Sequence, residues 1–162
     1  MKNQIGPKGK FVLELIRDGE VIETREFPNG VVDAGMNSLL NVGFYGSTQL
    51  TTWYVGFIDN ASYSALSNSD VMTAHGGWIE NVSYSDATRR QWSPTISSAR
   101  NLTNGTAATF NINATGVLAG AFIASDSTKS GTAGTLWCTG LFGSTIAITS
   151  GDQIKVTYTI TG

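Results

Sequence analysis

A chain of 162 residues is long enough to close one domain around its own core, burying roughly 70% of its unfolded surface without a disulfide or metal. Its 10 Lys and Arg against 12 Asp and Glu leave a formal charge of −2, which argues against nucleic-acid binding and the basic footprint it requires. No stretch approaches the roughly 20 apolar residues of a membrane span, so a soluble protein made inside the cell is expected.

Charge is unevenly placed. Ten of the 22 charged side chains lie in the first 26 residues, and none lies between Arg100 and Asp126. The body uses Thr, Ser, Asn and Gly instead, 20, 16, 11 and 19 of them, which suit strands and turns rather than acid–base, metal or phosphate chemistry. A mainly β protein is expected.

Residues 1–30 read as a lead and a hairpin, separate from a body at 31–162. Ile5-Gly6-Pro7-Lys8-Gly9 is a flexible lead. Phe11, Leu13 and Leu15 then alternate with Val12, Glu14 and Ile16, Asp18-Gly19 signals a tight turn, and residues 21–27 return as a second strand. The charge on this hairpin suits an exposed ribbon or edge, where it discourages stray strand pairing. A hairpin alone is marginal in water and must pack on the body or on another chain. Phe11, Leu13, Leu15, Val21, Arg25 and Phe27 are therefore candidate interface residues of an N-terminal arm.

Residues 33–42 predict one short helix. Asp33 is placed as its N-cap, Met36, Leu39 and Leu40 form a stripe expected to face a sheet, and Gly43 supplies the stop. Beyond it come short strands: 53–58, 78–84, 108–113, 116–124, 136–142 and 146–149, with 59–77 and 85–106 loop-like. The glycines of 116–124 suggest a bulge or close sheet contact. The last strand is the cleanest: Ile154, Val156, Tyr158 and Ile160 alternate with Lys155, Thr157, Thr159 and Thr161. The spacing of turns and strands predicts an antiparallel β-sandwich, for which a jelly roll is one arrangement, with one short helix and an N-terminal β-hairpin arm.

Candidate chemistry is sparse. Cys138, the only cysteine, sits among β-formers and reads as a buried, inert thiol. His75, the only histidine, lies in Ala74-His75-Gly76-Gly77-Trp78 without a nucleophile or carboxylate neighbour and reads as a structural loop residue. Asp59, Asp70, Glu80 and Asp86 could supply paired carboxylates of glycosidase type, but loop caps and Asx-turns use the same residues. Calcium-loop spacing and a phosphate-cradling glycine loop are both missing. Arg89-Arg90 reads as a solvated pair or a structural salt bridge. Five Asn-X-Ser/Thr sequons, at Asn60, Asn81, Asn101, Asn104 and Asn113, reflect composition rather than glycosylation. Trp53, Trp78, Trp92 and Trp137 are core or contact residues, with Trp92, beside Ser93-Pro94 in an irregular segment, the candidate for an interface. No catalytic, cofactor-binding or metal residues are assigned.

Gly56-Phe57-Ile58-Asp59-Asn60, Ala74-His75-Gly76-Gly77-Trp78, Tyr84-Ser85-Asp86-Ala87-Thr88-Arg89, Trp92-Ser93-Pro94 and Gly151-Asp152-Gln153-Ile154-Lys155-Val156-Thr157-Tyr158, with residues 29–40, together resemble a group of small tailed-bacteriophage virion proteins. The likeness covers most of the chain. Members of this kind are linked to capsid cementing or decoration, and the likeness implies no catalytic residues. The expectation is a non-enzymatic phage virion structural protein, made in the bacterial cytoplasm and carried on the outer surface of the capsid. Its partners would be the major capsid protein and itself, as a trimer or dimer, with no cofactor, nucleic acid or membrane. The alternative is a tail or head-fibre host-recognition module that binds surface carbohydrate through Trp and Tyr. A glycan hydrolase is a third reading, disfavoured by the scarcity of ionisable residues.

Overall fold

The structure, a computed structural model, describes residues 6–96 and 98–162. Ile5, at the start of the expected flexible lead, lies outside the described residues. Ten strands follow in the order β1 (Lys8–Arg17), β2 (Glu20–Val31), β3 (Trp53–Asp59), β4 (Glu80–Asn81), β5 (Arg90–Trp92), β6 (Asn101–Thr103), β7 (Ala108–Asn111), β8 (Gly116–Ala124), β9 (Leu136–Ile148) and β10 (Gln153–Thr161). One short helix, α1 (Asp33–Leu40), continues into a π-helical turn at Asn41–Tyr45. Among the described residues, no helix is long and apolar enough to cross a membrane.

The strands form one antiparallel sheet in the order β4-β3-β8-β9-β2-β1-β10-β6, with β5 also on β3 and β7 also on β10. It curls into a half-barrel. The curl depends on β2, whose first part pairs with β1 and whose last two residues, Gly30 and Val31, pair with Thr139 and Cys138 of β9. β2 belongs to both halves, so the strands run on as one curled sheet.

Alternation builds the core from both halves. Phe11, Leu13 and Leu15 of β1 and Ile154, Val156 and Tyr158 of β10 are buried in one cluster with Val55, Phe57, Leu118, Ile123, Phe142 and Ile146 from β3, β8 and β9. The outer face of β3–β8–β9 is covered too. Ile58, Phe122 and Leu136 pack there with Met72 and Trp78 from the 60–79 loop and with Val32 before the helix.

Several local expectations are corrected. The hairpin forms at Asp18 and Gly19, both at positive φ (53° and 82°), but it is no free arm. β1 lies mid-sheet, paired with β2 along one side and with β10, from Lys8↔Thr161 to Ile16↔Gln153, along the other. Asp33 is the first helical residue rather than the N-cap, which is Val32. The stop is Gly46 (φ 79°), not Gly43, because the π-helical turn carries the chain further. The segments 136–142 and 146–149 merge into β9, with an irregularity in its pairing between Leu141 and Ile146. Of the expected 78–84 strand, Glu80 and Asn81 form β4 and Tyr84 makes an isolated bridge to Ile112. The 116–124 glycine expectation holds: pairing shifts between Leu118 and Gly120, and a Cβ on Gly120 would collide with the Gly140 carbonyl.

Candidate functional site

The helix docks through a glycine. Gly35 is the buried residue of α1, and a Cβ there would strike the carbonyl oxygen of Trp137. The Val32 N–H donates to that same carbonyl at 3.1 Å, and the Asp33 N–H donates to Asn68 O at 2.8 Å. So close an approach fixes the helix on β9 by its backbone. The apolar stripe expected to face the sheet is left half outside: Leu39 and Leu40 are exposed, and the π-helical turn presents Phe44 at 90% and Tyr45 at 85% exposure.

An apolar groove of about 330 Å³ runs beside this segment. Leu39, Val42 and Leu50 line it from the helix and the loop that follows, and Pro94, Leu102 and Ile160 line it from the sheet side. Trp53, Trp92 and Trp137 also line it. Two residues beyond Pro94, Ile96 is 98% exposed. The indoles are held from within: Trp92 Nε1–H donates to Tyr158 O at 2.9 Å, and Trp137 Nε1–H donates to Tyr158 Oη at 2.8 Å. Burial raises the Tyr158 phenol well above its ordinary pKa, so the hydroxyl stays neutral and keeps accepting from Trp137.

A second cavity, of about 260 Å³, is polar at its base. The Arg89 guanidinium meets the Glu80 carboxylate there in a bidentate pair, Nε to Oε1 at 3.0 Å and Nη2 to Oε2 at 2.8 Å. Arg89 also donates to the carbonyls of Asp126 and Gly131, and the Ser130 N–H donates to Glu80 Oε2 at 2.7 Å. Both charges are thus neutralised in place and brace the loop before β9 against β4. His75 stacks on Trp78 at 3.9 Å and its Nδ1–H donates to the Trp78 carbonyl at 2.9 Å. Asp70 accepts from Trp78 Nε1 and from the Ser67 N–H, both at 3.0 Å. Asp59 accepts from Ala61 N and Asn81 Nδ2, and Asp86 faces Arg90 at 3.2 Å. The acids weighed as catalytic carboxylates therefore act as turn anchors and ion-pair partners. Cys138 is fully buried, and desolvation pushes its thiol up to about 12.

The expected interface set divides. Phe11, Leu13, Leu15, Phe27 and Trp92 are all core residues at 3% exposure or less, and of these Trp92 also lines the groove. Phe11, Leu13 and Leu15 face the inside of the curled sheet, in one cluster with Val55, Phe57, Leu118 and Ile123 of β3 and β8. Val21 remains exposed with its neighbour Ile22. Arg25 is half-buried, paired with Glu23, and donates to Ser144 Oγ at 2.6 Å. Phe44, Tyr45 and Ile96 were not read from the sequence. The available signal was an aromatic pair between Gly43 and Gly46, outside any alternating run. No protein-family model matches the chain, and no curated protein matches it.

Proposed function

We propose that the chain is a non-enzymatic structural protein of a tailed-bacteriophage virion, a capsid cement or decoration protein that oligomerises and bridges major capsid protein subunits on the outside of the head. The supporting observation is the apolar face beside α1, where Phe44, Tyr45 and Ile96 stand almost wholly in solvent next to a groove. Exposed apolar area of this extent is characteristic of protein docking. The resemblance of the chain to small virion proteins supplies the setting. The half-barrel acts as a stiff body, a sandwich closed along β2, and the exposed hairpin surface at Val21 and Ile22, with the half-buried Arg25 near it, reaches the capsid subunit. Many modest contacts on a repeating lattice then add to firm attachment.

The host-recognition alternative draws on the tryptophans of the groove. The indole N–H groups of Trp92 and Trp137 are already engaged by Tyr158, and most neighbouring side chains are aliphatic. Such a lining offers a sugar few polar partners, so protein docking is the better reading.

The test adds purified protein to heads assembled without it. Saturable binding at lattice positions, slower head disruption on heating, and loss of both in V21D/I22D support the proposal. Failure to bind heads, with binding to host glycans instead, overturns it.

A further inference from the structure

We infer that the groove beside α1 is a self-association face, in which Phe44 and Tyr45 of one copy seat in the groove of the next. It gives the proposed cement protein its oligomer contact and rests on that reading only for its biological setting.

Three observations carry it. The first is charge. No charged residue occurs between Asp33 and Asp59, the stretch that supplies the helix wall, or between Arg90 and Arg100, the stretch that supplies Pro94 and Ile96. A face without charge meets a copy of itself with no like-charge repulsion, and charge is what interface cores lack. The second is area. The exposed fractions of Leu39, Leu40, Phe44, Tyr45, Leu50 and Ile96 amount to roughly 600–800 Å², close to the ~800 Å² one partner contributes to a standard interface. The third is shape. Between Val42 and Gln49, which line the recess, the chain carries an exposed aromatic pair, so one short segment supplies both a projection and a wall of the recess for a second copy to meet. Large aromatics entering a pocket are the residues that dominate such contacts.

A foreign partner would need only one of the two features. The projecting residues are not required to hold the fold: Phe44, Tyr45 and Ile96 are 85–98% exposed.

Sedimentation of the full chain over a concentration series tests the inference. Wild-type protein is expected as a dimer or trimer, and F44D/Y45D is expected as a monomer, with association weakened at least ~100-fold. I96D, two residues beyond Pro94 of the sheet-side wall, is expected to weaken it as well. Unchanged far-UV circular dichroism and melting temperature would show that the variants still fold. A wild-type monomer at all concentrations, or an oligomer that F44D/Y45D leaves intact, overturns the inference. Head binding separates the two readings. A monomer that still occupies heads removes this face and keeps the virion role. An oligomer that the variants dissociate, but that never occupies heads, does the reverse.

Discussion

Arg89 and Glu80 form a fork-to-fork ion pair inside the protein, both side chains at most 4% exposed. Taking either partner away strands the other charge in a low-dielectric site. E80A or R89A is therefore expected to cost about 3–5 kcal/mol and lower Tm by roughly 10 °C. Replacing both with apolar residues should recover only part of this, because the Ser130 N–H and the carbonyls of Asp126 and Gly131 would still lose their partners. Thermal unfolding of the two single variants and the double variant measures it.

Gly35→Ala places a methyl against the Trp137 carbonyl, a backbone atom that cannot move without disturbing β9. The expected cost is about 1–3 kcal/mol, although alanine is the better helix former. The opposite result, a more stable protein in denaturant titration, would mean that the helix is not held as close as described.

Stability should carry an acid-side signature from Asp152. The Arg17 guanidinium, bonded to both carboxylate oxygens at 2.7 and 2.8 Å, holds this carboxyl below the ordinary carboxylate range against the opposing effect of burial. The Thr149 N–H adds a third bond at 2.8 Å. A depressed pKa means the contribution is fully present above the unfolded value, near 3.9, and is lost as pH falls through the folded one. The stability gap between wild type and D152N, about 1–3 kcal/mol at neutral pH, should narrow below about pH 4. Denaturant titrations at stepped pH follow the gap directly.

Cys138 should not react with a thiol reagent at pH 8 while the chain is folded, and should react fully in denaturant. Its sulfur is buried and its thiol pKa is pushed up to about 12, so both access and thiolate are denied. Rapid labelling of native protein would contradict the placement of β9 in the core.

Strands with clean two-residue periodicity were legible in the sequence. The alternation of Ile154, Val156 and Tyr158 describes β10, and Asp18-Gly19 marks the turn it was expected to mark. Pairing order was not legible, because alternation tells which side chains share a face but not which strand lies alongside. That is why β1 read as an outlying ribbon when β10 pairs along its second edge. The helix stripe misled for another reason: Met36, Leu39 and Leu40 have the spacing of a buried face, but the closest approach is made by Gly35, which no hydrophobic pattern registers. Of the candidate site, the tryptophans were visible and the projecting Phe44, Tyr45 and Ile96 were not. Exposure of an apolar side chain follows from tertiary placement alone.

The pairing of Lys8 with Thr161 has a consequence for synthesis. β1 is the first of the ten strands to leave the ribosome and β10 the tenth, so the apolar side of the nascent hairpin waits uncovered while the rest is made. Contacts this distant in sequence close slowly, over milliseconds to seconds, after the relevant chain is free. The charges of the opening residues then have a use before any native partner exists: they keep an unfinished ribbon from pairing with its neighbours on the same polysome.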